Sequence, residues 1–160
     1  MTNKPSIQPS DYQALAEFRH QIRRFLHFSE KAARQAGIEP QHHQLMLAIK
    51  GKLDGGGPRI AYLAERLQVE HHSAGELVDR LVRKGLISRV RSPQDRREVH
   101  VELTPRGARI LEELTVHTRK ELRSAAPALV ASLRDLAAPR KARQPLRRRR
   151  PKTLPAGRSQ

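Results

Sequence analysis

The sequence predicts a mainly α-helical fold with one small β-hairpin. Apolar residues recur at spacings of three and four along most of its 160 residues, the signature of amphipathic helices. Strict apolar–polar alternation is confined to one stretch, Glu98 to Leu103. Gly37, Gly51, the run Gly55-Gly56-Gly57-Pro58 and Gly85 fall between the periodic stretches and divide them. Aromatics are only 3% of the chain, so the core must be built from Leu, Ile, Val and Ala.

The first helix is expected over 11–36, where Leu15, Phe18, Ile22, Phe25 and Leu26 form one stripe. Ser10 or Asp11 is the expected cap, and Gly37 the stop. A second helix is expected from Gln41 to Lys50, with Leu45, Met46 and Ile49 inward. Arg59 to Leu67 carries the short stripe Ile60, Leu63, Ala64 and Leu67. After a three-residue connection, Ala74, Leu77, Val78, Leu81 and Val82 form the next, ended by Gly85. Two short helices joined by so tight a turn are a helix-turn-helix unit. Leu86 to Arg91 then has strand composition, Ser92-Pro93-Gln94-Asp95 has turn composition, and Val99, Val101 and Leu103 line one face of the returning strand. That is a hairpin wing directly after the second helix of the pair. Thr104-Pro105 reads as an N-cap followed by proline at the first helical position. The long helix that follows is expected to break or kink at Pro127, leaving a last helix over 128–138.

Lys and Arg number 32 against 16 Asp and Glu, a formal net charge of +16. Nine of those cations, and no acid, fall in 139–160, which leaves +7 for residues 1–138. Four prolines and two bulky apolar residues in that stretch predict a basic disordered tail. It is either a phosphate-holding arm centred on Arg147, Arg148, Arg149 and Arg150 or a solvated extension. The excess charge makes nucleic acid the first candidate partner. The absence of cysteine removes disulfides, thiolate metal sites and thiol redox sensing. No apolar run approaches the roughly 18 residues of a spanning helix, and the polar N-terminus has no signal-peptide pattern, so a cytoplasmic, nucleoid-associated protein is expected.

Three segments in order carry a family resemblance: Leu77-Val78-Asp79-Arg80-Leu81 with Gly85-Leu86-Ile87, then Asp95-Arg96-Arg97, then Leu103-Thr104-Pro105-Arg106-Gly107. The chain resembles MarR-family winged helix-turn-helix regulators over roughly 11–138. The resemblance implies a homodimeric transcription regulator, most often a repressor, on an inverted-repeat operator in double-stranded DNA. It divides residues 1–138 into dimerisation helices at 11–36 and 105–138 and a DNA-binding lobe at 59–103. The apolar stripes agree independently. A lobe of this size cannot cover the first, fifth and last helices, so a partner copy or an intramolecular bundle must.

Mapped onto this chain, the family's DNA-reading positions at the start of the recognition helix are His71, His72, Ser73, Gly75 and Glu76, with Arg80 further along. The helix is expected to start near Glu70 or His71, although a Ser73–Glu76 capping box competes with base contact. Gly75 is costly inside a helix, and close approach of DNA would explain it. On the wing, Arg97 matches the minor-groove arginine and Asp95 the acid that orients it. Arg96 and Arg91 are phosphate contacts or solvated tip residues.

The family further implies a small aromatic or phenolic effector, for which Tyr12, Phe18, Arg19, Arg23, His42 and His43 are the candidate contacts. A metal or other cofactor is not expected. The adjacent pairs His42-His43 and His71-His72 point about 100° apart on a helix and do not chelate together. An enzyme is not expected either: the Gly55 run lacks a following Lys-Ser/Thr, and no nucleophile or carboxylate-pair motif occurs. The alternative from another class is a non-specific nucleic-acid-binding, architectural protein driven by the arginine-rich tail.

Overall fold

The computed structural model describes residues 7–52, 57–92 and 98–137. The tail at 139–160 and the wing-tip residues Asp95, Arg96 and Arg97 lie outside the described residues. The order of elements is α1 (Pro9–Gln35), α2 (Pro40–Lys50), α3 (Ile60–Leu67), α4 (His71–Arg83), β1 (Ile87–Arg91), β2 (Val99–Leu103) and α5 (Pro105–Ala137).

Helix α1 starts two residues before its expected position. Gln8 is the N-cap, Pro9 occupies the first turn, and the Asp11 carboxylate accepts a 2.8 Å hydrogen bond from the Gln8 N–H. Asp11 thus closes the helix start from within its first turn rather than as the cap itself. At the far end Gly37 takes a left-handed φ of +75°, and the Ile38 N–H returns to the Ala33 carbonyl at 3.0 Å, which buries Ile38 in the core.

The core gathers one stripe from each element. Leu45, Met46 and Ile49 of α2 meet Leu63 of α3, Leu77, Val78 and Leu81 of α4, Ile87 and Val101 of the hairpin, and Leu111 and Leu114 of α5. Gln68 makes the α3–α4 turn with a left-handed φ of +55°, held by its own side chain donating to the Glu65 carbonyl at 2.8 Å. Strands β1 and β2 pair antiparallel, with Ile87 opposite Leu103 and Arg91 opposite Val99. Only the base of the hairpin lies on the core: Val101 is fully buried, Leu103 half-buried, and Val99 38% exposed. The expected inward face holds where the lobe lies beneath it and lapses where the wing rises clear.

The expected Thr104 cap forms and does more than cap. Its hydroxyl accepts from the Gly107 N–H at 3.1 Å and donates to the Gly85 carbonyl at 2.8 Å. The start of α5 is thereby fastened to the end of α4. The expected break at Pro127 does not occur, and α5 runs unbroken from Pro105 to Ala137. Proline forfeits one backbone hydrogen bond. Here the strong helix formers Ala125, Ala126 and Ala128 flank it, and α1 packs against α5, so continuing costs less than turning.

The α1–α5 pair leaves apolar surface uncovered. Phe18, Ile22 and Phe25 are half-buried, and the rings of Phe28 and His117 meet at 5.1 Å. Tyr12, Leu15 and Leu26 of α1, and Val116, Leu122, Val130, Leu133 and Leu136 of α5, remain exposed. No helix among the described residues is long and apolar enough to cross a membrane.

Candidate nucleic-acid interface

Helix α4 buries Ala74, Leu77, Val78 and Leu81, one stripe at helical spacing. The same periodicity therefore turns His71, His72, Glu76, Arg80 and Arg83 to solvent, with Ser73, Gly75 and Asp79 half-buried at the margins. The helix begins at His71, as the family register implies. Glu70 is the N-cap and makes no side-chain capping bond. The first intrahelical bond is donated by Ala74 to the Glu70 carbonyl at 3.0 Å, so the N–H groups of the opening turn point out of the helix end, where a phosphate can accept them. The competing capping box is not formed. Ser73 Oγ lies 3.4 Å from His72 Nε2, and Glu76 instead pairs with Arg80 at 3.2 Å. Both partners of that pair are well exposed, so it adds little stability. Its consequence is orientation, since it lays the Arg80 guanidinium along the outer face of the helix.

The wing is fastened along both strands by contacts that motif reading missed. Arg89 of β1 reaches Asp79 of α4 at 2.7 Å, linking the wing to that helix. On the other side Arg59 pairs with Glu98, and the Val101 N–H donates to the Pro58 carbonyl at 3.0 Å. A Cβ on Gly57 would lie 2.3 Å from the Val101 carbonyl oxygen, so only glycine lets the chain pass so close to β2. Arg91 is exposed on β1 between the Arg89 and Glu98 anchors and points the same way as Arg89, two residues along the strand. No local spacing rule would have found Asp79–Arg89, because its partners belong to different elements ten residues apart. Arg89→Ala is expected to cost under about 1 kcal/mol of stability, as half-exposed pairs do. The same variant should weaken DNA binding severalfold by freeing the wing. Thermal melts beside anisotropy titrations check both.

The six proposed effector contacts do not converge within one chain. A cleft of about 720 Å³ opens between α1, α2 and α4. Glu30 and Arg34 line it from α1, Glu39, Pro40, Gln41 and His42 from α2, and Leu77, Arg80, Arg83 and Lys84 from the α4 side. Of the six, His42 alone is in its wall. Tyr12 and Phe18 precede Glu30 by about 27 Å and about 18 Å of helix, given 1.5 Å per residue. Arg19 and Arg23 are exposed on the same part of α1, and His43 is buried on α2 outside the cleft. Arg34, Arg83 and Lys84 are the cleft cations that the sequence did not single out. They come from two helices distant in sequence, and only the tertiary fold assembles them.

His42 and His43 are 4% and 2% exposed. Burial holds both imidazoles below their ordinary pKa of 6.5, and the Lys84 and Arg80 charges push His42 down further against the opposing pull of Glu39. A folded pKa below the unfolded one means that acid is taken up more readily by the unfolded chain. Their stability contribution is therefore complete above about pH 6.5 and is lost as pH falls below it. The melting temperature should drop between about pH 7.5 and pH 5.5, each histidine contributing at most about 1.4 kcal/mol per pH unit. A melting temperature that stays flat across that range would contradict the assignment.

The sequence profile of the MarR family matches residues 36–98, the segment from the end of α1 to the residue before β2. The chain is 26% identical over 123 residues to the uncharacterized HTH-type transcriptional regulator YsmB of Bacillus subtilis, covering 77% of this chain and 81% of that protein. RV1404 of Mycobacterium tuberculosis superposes with a TM-score of 0.64 at 25% identity, over 84% of this chain and 95% of that one. A point mutant of S. aureus MepR, solved bound to an oligodeoxyribonucleotide, superposes with a TM-score of 0.58 at 22% identity, over 72% and 82%.

Proposed function

From the MarR-family winged helix-turn-helix that this chain carries, we propose a homodimeric, sequence-specific repressor of transcription whose DNA affinity is lowered by a small-molecule effector. A DNA-binding transcription regulator of MarR type is supported by the family match, the fold and the YsmB relative. The observation that carries the rest is the exposed face of α4. His71, His72 and Arg80 are exposed and Ser73 half-buried on a helix whose opening turn can offer its N–H groups to a phosphate. The imidazoles, the hydroxyl and the guanidinium supply donors for base edges in a major groove. On the wing, Arg97, oriented by Asp95, is proposed for the adjacent minor groove, and Arg91 and Arg96 for the phosphates beside it.

The dimer is supported by the uncovered apolar faces of α1 and α5, which a second copy would bury in the manner of an isologous interface. Two recognition helices would then read half-sites about 10–10.5 base pairs apart. Effector control is supported by the cleft, because Arg80 belongs to both its wall and the DNA-facing surface. A ligand that engages Arg80 in one arrangement of the lobe and not the other shifts the balance between them.

Fluorescence-anisotropy titration of the full chain tests the proposal, with DNA from upstream of its own gene and a shuffled control at two salt concentrations. A preference of about 10³-fold or more for the upstream DNA supports a specific regulator. Equal affinity for both, with a steep salt slope, turns the reading to non-specific coating. Sedimentation of the same sample reports the dimer.

A further inference from the structure

We propose that the basic segment 139–160 holds a second DNA duplex while α4 holds the first, so that the protein joins two stretches of DNA. This rests on the DNA-binding reading above and adds a partner to it.

Helix α5 carries its far end well clear of the winged lobe. Thr104 and Arg106 fasten its start to the end of α4. Its core residues Ile110, Leu111 and Leu114 all fall at the near end, and beyond them α5 buries Ser132 alone among the described residues. Phe28 of α1 meets His117 of α5, and Ala32 shares the core with Leu111. The two helices therefore leave the lobe together and run antiparallel. At 1.5 Å per residue, Ala137 is about 35 Å of helix past Leu114. Leu111 and Leu114 also join the core that Leu77, Val78 and Leu81 face, so α5 lies on the buried side of α4 and its exposed side turns the other way.

Nine Lys and Arg and no acid then follow in 139–160. Four of them, Arg147 to Arg150, are consecutive, and the first is ten residues past Ala137. Ten residues of coil span about 16–19 Å, and about 35 Å at full extension. Full extension thus does no more than retrace α5 to Leu114, still on the buried side of α4. The phosphates within reach of these arginines are those of DNA beside the far end of the α1–α5 pair, not those of the groove that α4 enters. The protein supplies little counter-charge there. The acids near that end are Asp11, Glu17 and Asp135, and the first two already accept hydrogen bonds from Gln8 and Gln21.

The composition of the segment selects the polyanion. It contains no aromatic residue on which an unpaired base could stack, which disfavours single-stranded nucleic acid. Its bulky apolar residues are Leu146 and Leu154, too few to anchor in a lipid surface. Guanidiniums in series against a duplex backbone need neither, because released counterions drive the binding. A protein seated on DNA through α4 also meets neighbouring duplex of the same molecule at high effective concentration.

The experiment uses the full chain and two duplexes. DNA from upstream of its own gene is fixed to beads, loaded with protein and washed, and a labelled duplex of unrelated sequence is added. Capture of the second duplex is expected, falling about a hundredfold between about 50 and 200 mM salt, as four neutralised phosphates require. Replacing Arg147, Arg148, Arg149 and Arg150 together by Gln should cut capture by about tenfold or more. Affinity of that variant for the upstream duplex, read by anisotropy, should stay within about twofold, and its melting temperature reports whether it folds. A readout on the unsubstituted chain stands beside it. Trypsin should cleave after Arg147, Arg148 and Arg149 with stoichiometric upstream duplex, and severalfold more slowly once the unrelated duplex is added. No capture, or capture unchanged in the variant, overturns the proposal. So does a variant that loses the first duplex as strongly as the second, which would put the arginines on the DNA that α4 reads. A single-stranded RNA or a phosphatidylserine vesicle held more tightly than the second duplex overturns the choice of partner. Two duplexes joined with no preference for the upstream DNA overturns the sequence-specific reading and leaves this one standing.

Discussion

Replacing Gly107 by alanine is expected to cost about 3 kcal/mol or more, the upper end of what overpacking a core does. A Cβ at this position would lie 2.0 Å from the Leu86 carbonyl oxygen and 2.9 Å from its carbonyl carbon. Both are backbone atoms, so no side chain can rotate to make room. The displaced segment is also tied at several points. The Thr104 N–H donates to the same Leu86 carbonyl, Thr104 Oγ1 bridges Gly107 N–H and the Gly85 carbonyl, and Arg106 donates to the Lys84 carbonyl at 3.2 Å. Moving α5 away from Leu86 would break this set together, including a helix cap worth about 1 kcal/mol. For a chain of this size the melting temperature should fall by roughly 6–12 °C, read by circular dichroism. Thr104→Ala, which removes the cap but adds no atom, should fall by a smaller amount. A Gly107→Ala protein that melts with the unsubstituted chain would mean that α5 does not pass so close to the end of α4.

That contact also marks how far the sequence could be read. The Leu103-Thr104-Pro105-Arg106-Gly107 segment announces a cap and a helix start, because those are local rules with residue-type signatures. Among the described residues, every element but the last lies within two residues of where periodicity and punctuation put it, and the start of α4 at His71 follows the family register. What was not readable depends on distance in space. The continuity of α5 through Pro127 departs from a local breaking rule, in a helix that α1 packs against. Asp79–Arg89, Arg59–Glu98 and the Arg34–Arg83–Lys84 wall join elements that no spacing connects. Tyr12 and Phe18 were grouped with His42 by residue chemistry alone, and the length of α1 keeps them from the cleft within one chain.

Gly75→Ala is expected to raise the melting temperature while lowering DNA affinity, and the opposed signs are the point of the experiment. A helix-interior glycine costs roughly 1 kcal/mol relative to alanine, and a fold keeps one there for a reason that its surroundings usually reveal. Within this chain they reveal none. Its φ is not positive, and a Cβ built on Gly75 meets nothing within 4 Å. The contrast with Gly107 and Gly57, where a Cβ would strike backbone, is direct. Gly75 sits in the second turn of α4, between Ser73 and Glu76, on the margin of the face proposed to enter the groove. If that face meets DNA closely, the missing Cβ makes room for a phosphate or base edge. Alanine should then gain about 1 kcal/mol in the free protein, some 2–4 °C in melting temperature. It should lose roughly 1–3 kcal/mol in the complex, a factor of about 5 to 150 in affinity. An unchanged affinity beside a raised melting temperature would place the DNA away from Gly75 and shift the recognition surface toward His71, His72 and the wing. A lowered melting temperature would instead reveal a protein neighbour at this position, such as the second copy in the dimer.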